Sequence, residues 1–209
     1  MAFSHFPQYA ILRIFFMKVI MMAIKIFIDQ GHNPSNPNAG AEANGLREQD
    51  ITYDVGMRLA GMLAANPNFE VRTSRTTPDE SLGTSNATSL QARVQKANAW
   101  PADYFISIHG NANTNPNISG SEAYVYSLYT QAYDLARSIL VGLNNAVGIP
   151  NRGVMVNKGL YVLSRTQMPA VLVELGYLTN TVDANLMSTD PEAFARGIYN
   201  GILAYFGLA

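Results

Sequence analysis

The stretch Asp103-Tyr-Phe-Ile-Ser-Ile-His109 is a mostly apolar run that ends in a histidine. Such a run is typical of a strand buried on both faces in a parallel sheet. The run Ala170-Val-Leu-Val-Glu-Leu175 has the same character and carries a carboxylate at Glu174. The run Ile24-Lys-Ile-Phe-Ile-Asp29 leads into a polar loop that begins around His32. The three runs predict central strands of one sheet.

The segments between these runs predict helices and further strands. Apolar residues recur at helical spacing from Ile51 to Leu63, which predicts a helix over residues 48–65. Other helices are predicted over residues 90–99, 131–147 and 191–206, and other strands over residues 69–75, 122–127 and 161–163. Strands that alternate with helices predict an α/β fold, a mostly parallel sheet with helices on both faces. The length of 209 residues predicts a single domain, which we place at residues 23–209.

Composition narrows the possible functions and cofactors. The net charge of −1 gives no electrostatic reason to expect nucleic acid as a partner. The absence of cysteine excludes disulfides and thiolate metal sites. A transition metal would therefore need histidine and carboxylate ligands, and the only histidines are His5, His32 and His109.

The N-terminus is apolar, yet it does not fit a membrane segment. Arg13, Lys18 and Lys25 interrupt the run over residues 10–28, and each charge costs about 2.5–3.5 kcal/mol at a bilayer centre. The apolar runs between them are shorter than a signal-peptide core. We therefore predict no stable membrane insertion and no cleaved signal, and we interpret residues 1–22 as an extension outside the fold. The protein would then stay in the cytoplasm until lysis, or leave by a non-standard route.

Three polar residues are predicted to meet at one edge of the sheet. His32, His109 and Glu174 each lie at the carboxyl end of a predicted strand or just beyond it, where residues distant in sequence converge. Two histidines, a carboxylate and an open position make a hydrolytic zinc site. The third ligand would be an acid near His32, and Glu42 and Glu48 are both candidates. Glu174 then remains free as a general base.

A further acid is expected to support the metal ligands. Asp29 lies just ahead of His32, and we predict that it orients this histidine through its other ring nitrogen.

These residues resemble the zinc-dependent N-acetylmuramoyl-L-alanine amidases of the Amidase_3 family. The resemblance extends over about residues 24–206, and its motifs are specific in their order and spacing. The matching segments are Asp29-Gln30-Gly31-His32, Gly40-Ala41, Glu48, Ser107-Ile108-His109-Gly110-Asn111-Ala112 and residues 168–180, MPAVLVELGYLTN. The chain looks most like the single-domain members from sporulating bacteria and their phages, which include endolysins and autolysins.

The resemblance implies a function and a set of site residues. It implies a twisted, mostly parallel six-stranded sheet, and a Zn²⁺ ion bound by His32, Glu48 and His109 with Glu174 as the catalytic carboxylate. It also implies that the substrate is peptidoglycan, cleaved at the amide between N-acetylmuramic acid and L-alanine. Asn111, Arg152 and Leu163 are predicted to support the site or to line the substrate groove. The oligomeric state is not predicted.

Two alternative functions differ in chemistry. Another zinc peptidase could act on the stem peptides, but the H-x-x-E spacing that is usual in zinc carboxypeptidases does not occur. A wall-binding module would keep the fold without catalysis, and the intact set of site residues argues against it. A serine hydrolase is disfavoured because there is no G-x-S-x-G motif.

Overall fold

The computed structural model describes residues 22–209 and confirms the predicted α/β fold. The strands are β1 (Ile24–Gln30), β2 (Glu42–Ala43), β3 (Leu46–Arg47), β4 (Phe69–Thr73), β5 (Tyr104–Asn111), β6 (Ser121–Val125), β7 (Asn151–Val156) and β8 (Ala170–Tyr177). The helices are α1 (Glu48–Ala64), α2 (Asn86–Ala99), α3 (Gln131–Val147), α4 (Tyr161–Arg165), α5 (Thr181–Thr189) and α6 (Pro191–Phe206). Apart from Met22, the predicted N-terminal extension lies outside the described residues.

Six strands form one twisted sheet in the order β4-β1-β5-β8-β6-β7, and β2 and β3 form a separate small hairpin. The pairs β4–β1, β1–β5, β5–β8 and β6–β7 are parallel, and only β6–β8 is antiparallel. The carboxyl ends of β1, β5 and β8 therefore share an edge of the sheet with the amino ends of β6 and β7. The candidate site lies at this edge.

Helices cover both faces of the sheet, as predicted. On one face, β-branched residues such as Ile28, Ile106 and Val173 pack with apolar residues of α1, α3 and α6. On the other face, Phe27 and Phe105 stack and pack with residues of α2 and α4. This pattern explains the uninterrupted apolar runs, because alternate residues of each strand enter different cores. Within residues 22–209, no helix has the length and apolar character needed to span a bilayer.

Two local predictions differ from the structure. The segment predicted as a strand over residues 161–163 is the helix α4, whose Val162 and Leu163 are buried against α2. A run of three apolar residues carries no periodicity that separates a strand from a helical turn. The helix α2 begins at Asn86 instead of Leu90, because Ser85 and Thr88 form a reciprocal capping box.

The sequence interpretation also missed one strand and one helix. Strand β7 is the edge of the sheet and is partly exposed along its length, so it lacks an apolar pattern. Helix α5 is short and is capped by Asn180, whose side chain accepts hydrogen bonds from the backbone N–H groups of Val182 and Asp183. Neither segment was assigned a strand or a helix from the sequence.

Candidate metal and catalytic site

Three side chains that could bind a metal ion come from separate elements and meet at this edge of the sheet. His32 follows β1 by two residues, Glu48 is the first residue of α1, and His109 lies within β5. Glu48 Oε1 is 3.0 Å from His32 Nε2 and 2.9 Å from His109 Nδ1. Ligand atoms of the three residues all lie within 4.8 Å of one another, so the group can hold a metal ion.

The structure distinguishes between the two acids that the sequence left as candidates. Glu42 lies on the exposed hairpin strand β2 and pairs with Arg47 at 3.5 Å. Glu48 is buried, and its two oxygens accept hydrogen bonds from the backbone N–H groups of Ala41 and Gly110. Burial acts to raise the pKa of Glu48, but hydrogen bonds with His109 and His32 outweigh it, so this pKa lies well below its usual range. Glu48 is therefore ionised, as a metal ligand must be.

A buried arginine holds the backbone of His32. His32 has a positive φ of 67°, a left-handed conformation that is uncommon outside glycine. Arg93 of α2 is 1% exposed and donates hydrogen bonds to the carbonyl oxygens of Gln30 and His32 and to Asn33 Oδ1. Because Arg93 binds both sides of this turn, it holds the backbone that carries the His32 ring.

Asp29 does not make the contact that the sequence predicted. Its Oδ1 is 2.7 Å from Arg93 Nη1, and its Oδ2 accepts a hydrogen bond from the Ser107 hydroxyl at 2.8 Å. The buried Nδ1 of His32 has no hydrogen-bond partner among residues 22–209, so the prediction that Asp29 orients this ring directly is wrong. Asp29 acts on His32 through Arg93, because it supplies the charge that allows the guanidinium to be buried.

The Asp29–Arg93 pair predicts an acid-sensitive contribution to stability. Asp29→Asn is expected to lower the free energy of unfolding at pH 7 by about 3–5 kcal/mol, because Arg93 would remain buried without a counter-charge. Denaturant unfolding measures this loss. The matched control is Asp54→Asn, since Asp54 pairs with Arg58 where both side chains are more than 40% exposed, and its loss is expected to stay below about 1 kcal/mol. Equal losses would contradict the prediction.

The pH dependence of this difference follows from the pKa of Asp29. Burial acts to raise the pKa, but the charge of Arg93 and the hydrogen bonds from Arg93 and Ser107 outweigh it and lower the pKa. The ionised pair therefore stabilises the fold fully above the unfolded-state pKa of about 3.9 and loses its contribution as the pH falls through the lower folded-state pKa. The gap between wild type and Asp29→Asn should accordingly persist at pH 5 and shrink only below about pH 4.

Glycines allow the ligands to pack closely. A Cβ atom on Gly31 would lie 2.5 Å from His109 Cε1, and one on Gly40 would lie 2.7 Å from Glu48 Oε2 and 3.0 Å from His32 Cδ2. None of these three distances is compatible with an undisturbed ligand. Glycine is therefore required on two sides of the group formed by His32, Glu48 and His109.

Gly31→Ala is expected to displace the His109 ring and to weaken metal binding by about 10- to 100-fold, the usual effect of disturbing a ligand's support. Competition with a chromogenic chelator measures the affinity. Gly61→Ala serves as the control, because a Cβ at this position in α1 meets nothing within 4 Å. Unchanged affinity in Gly31→Ala would show that the His109 ring does not need its observed position.

Glu174 lies beside the cluster on the same face of the sheet. It is the register partner of His109 in β5 and of Glu122 in β6. Its buried Oε2 has no hydrogen-bond partner within the described part of the chain. Burial and the negative charges of Glu48 and Glu122 raise the pKa of Glu174 well above its usual value. Such a carboxyl takes up a proton more readily than a solvent-exposed carboxyl does.

The other residues predicted to support the site are Asn111, Arg152 and Leu163. Two of them contact Glu122, and the third lies in the core. The side-chain amide of Asn111 donates to Glu122 Oε1 at 2.7 Å, and Arg152 Nε donates to Glu122 Oε2 at 3.0 Å. Leu163 is instead 5% exposed in the core between α2, α4 and the sheet. Its neighbours Leu160 and Tyr161 line a cavity of about 210 Å³ that His32 and His109 also line.

Two residues of the site, Arg93 and Glu122, were missed from the sequence. Arg93 lies three residues after Leu90 and four before Ala97, so it interrupts the apolar face of a predicted helix. A charge on such a face signals a buried ion pair. Glu122 is the first residue of a predicted strand. Only its pairing with Glu174 in the folded sheet shows that it belongs to the site.

Comparisons with known proteins identify the family of this chain. The family model described as N-acetylmuramoyl-L-alanine amidase matches residues 26–204. The amidase CwlM of Bacillus licheniformis is 36% identical over 190 residues, which cover 89% of this chain and 70% of CwlM. The amidase LytC of Bacillus subtilis is also 36% identical, over 87% of this chain, and the chain spans only 35% of the length of LytC.

A solved structure shows the same fold. The N-acetylmuramoyl-L-alanine amidase from Clostridium difficile 630 superposes with a TM-score of 0.78 and 30% identity, over 88% of this chain and 97% of the other. The family match covers most of the domain, including all three residues of the metal cluster and Glu174. The chain therefore belongs to the N-acetylmuramoyl-L-alanine amidase family of hydrolases.

Proposed function

We propose that this chain hydrolyses the amide bond between N-acetylmuramic acid and L-alanine in peptidoglycan, with a Zn²⁺ ion held by His32, Glu48 and His109. One observation carries the proposal: the three ligand side chains converge beside Glu174, a carboxyl whose Oε2 lacks a hydrogen-bond partner in residues 22–209. The substrate implies that the protein acts at the cell wall.

The donor set fits zinc. Imidazole nitrogens and a carboxylate oxygen suit Zn²⁺. A tetrahedral ion with bonds of about 2.0–2.1 Å separates its ligand atoms by about 3.4 Å. Glu48 Oε1 already lies 3.0 Å and 2.9 Å from the two imidazole nitrogens, so only small movements are needed. When bound, zinc supplies Lewis acidity to the scissile carbonyl and to the attacking water.

We assign the proton transfers to Glu174. As general base, its carboxylate takes a proton from the attacking water. As general acid, the protonated carboxyl then donates this proton to the leaving alanine nitrogen, so one group serves both steps. The raised pKa of Glu174 favours retention of the proton between the two transfers. A bound divalent cation opposes part of this rise, because it stabilises the ionised form.

Other side chains position the reacting groups. Arg93 and Asp29 hold the turn that carries His32, as their contacts indicate. Asn111 and Arg152 hold Glu122 next to Glu174, and the Arg152 side chain is also 39% exposed. We assign no contact with substrate to Leu163, because it is buried in the core.

Mass spectrometry of muropeptides, incubated with and without chelator, tests the proposal. We expect chelator-sensitive release of stem peptides that begin with L-alanine, together with glycans that lack peptide. Cleavage within the stem would instead identify a zinc peptidase. Unchanged muropeptides and metal-free protein would indicate a wall-binding module.

A further inference from the structure

Glu122 is a buried acid next to the proposed catalytic carboxyl. It is 3% exposed, and its oxygens accept hydrogen bonds from Asn111, Tyr124, Tyr177 and Arg152 at 2.7–3.0 Å. Three of these donors are neutral. Only Arg152 brings a positive charge, and it does so through Nε, the inner nitrogen of its guanidinium group.

Arg152 presents the rest of its guanidinium group to solvent. Its side chain is 39% exposed, whereas that of Glu122 is 4% exposed. Nη1 makes only a long contact of 3.5 Å to the carbonyl oxygen of Ser119. The guanidinium carbon lies 5.5 Å from the centre of the Tyr177 ring. Glu122 and Tyr177 thus fix the orientation of a cation whose outer edge is available.

Glycines make room for this arrangement. A Cβ atom on Gly120 would lie 3.1 Å from Arg152 Cγ and 2.3 Å from the carbonyl oxygen of Pro150. Gly153 has a φ of 90°, a left-handed conformation that favours glycine, where the register between β6 and β7 shifts. The pairing of Ser121 with Asn151 sets Arg152 opposite Glu122, and the register shift then accommodates one extra residue of β7 before Ala123 pairs with Val154.

The register of the sheet places Arg152 on the same line as the proposed site. His109 in β5 pairs with Glu174 in β8, and Glu174 pairs with Glu122 in β6. The next strand is β7, in which Arg152 lies in the segment where the register with β6 shifts. Neighbouring strands lie about 4.8 Å apart, so the Arg152 backbone is about 10 Å from that of Glu174. An extended peptide covers this distance with about three residues.

We propose that Arg152 binds a carboxylate of the stem peptide and so makes the enzyme selective for acidic stems. This inference rests on the proposed amidase function, because it requires the L-alanine end of the stem to lie at Glu174. A guanidinium group that is held by Nε offers its two outer nitrogens to a carboxylate in a bidentate fork. The strand spacing matches an acidic group one or two residues beyond L-alanine.

The test uses two synthetic muropeptides that differ only in the second stem residue, which carries either a free carboxylate or its primary carboxamide. We expect wild type to cleave the carboxylate form with a kcat/KM about 10- to 100-fold higher, as expected for a hydrogen bond to a charged group. Arg152→Gln should reduce this ratio to near one. Arg152→Lys should give an intermediate ratio, because it keeps the charge and loses the fork.

The ratio of the two rates is independent of how much enzyme is folded, so a loss of stability in Arg152→Gln does not affect the result. Arg58→Gln is the matched control, since Arg58 is 41% exposed and also pairs with acids, but on α1. Absence of a preference for the carboxylate in wild type, or an unchanged ratio in Arg152→Gln, would overturn the inference. Failure of wild type to cleave either substrate would contradict the amidase function itself and both proposals with it.

Discussion

Glu174→Gln is expected to lower kcat by about 10²–10⁴-fold, the contribution usual for a positioned acid–base group. Glutamine has nearly the same shape but can neither accept the proton of the attacking water nor return it to the leaving nitrogen. Since Glu174 is outside the group of three metal-binding residues, the variant should retain its metal. Steady-state kinetics with a synthetic muropeptide, together with metal analysis of the same sample, measure both effects.

The control for this variant is Glu70→Gln, which makes the same chemical change at an exposed position on strand β4. Its kcat and metal content should match those of wild type. If Glu174→Gln turned over at close to the wild-type rate, the assignment of the proton transfers would be wrong. If it lost metal together with activity, Glu174 would have to be counted among the ligands.

Glu48→Gln is expected to remove both metal and activity. Glu48 Oε1 is the atom shared between the two imidazoles, so its replacement by a neutral amide takes away the only negative charge in the group of three. Loss of a ligand should weaken binding by more than the 10- to 100-fold that follows changes in supporting residues. Chelator competition and muropeptide cleavage measure the two losses.

Glu42→Gln is the matched control, because Glu42 is the other acid close to His32 in sequence. It lies on the exposed hairpin and pairs only with Arg47 among its charged neighbours in residues 22–209, so its replacement should leave metal binding unchanged. Metal loss in Glu42→Gln with retention in Glu48→Gln would reverse the ligand assignment. The pair of variants therefore tests a choice that the sequence could not make.

Long patterns in the sequence were sufficient to predict most of the architecture. The apolar runs of β1, β5 and β8 predict buried strands because both faces of each strand are covered by helices. The helical spacing in α1 predicts its length and its buried face. Edge strand β7 and the short helix α4 could not be predicted in the same way, since neither is long enough or buried enough to impose a period.

Some residues of the candidate site could be predicted from the sequence, and others could not. His32, His109 and Glu174 follow from their places at strand ends, because parallel strands bring those ends together. The role of Asp29 was predicted wrongly because its partner, Arg93, is 64 residues away on another element. Glu122 was missed for the same reason, since only the antiparallel pairing of β6 with β8 brings it beside Glu174.

The sequence by itself determined the α/β class, the edge of the sheet that carries the site, and the types of side chain available for chemistry. These properties depend on local hydrophobic periodicity and on composition, which each segment carries alone. Only the tertiary structure brings Glu48, and not Glu42, next to the histidines. It also brings Arg93 to the turn of His32 and Arg152 to Glu122. Such contacts depend on the register and packing of segments far apart in the chain, which no single segment specifies.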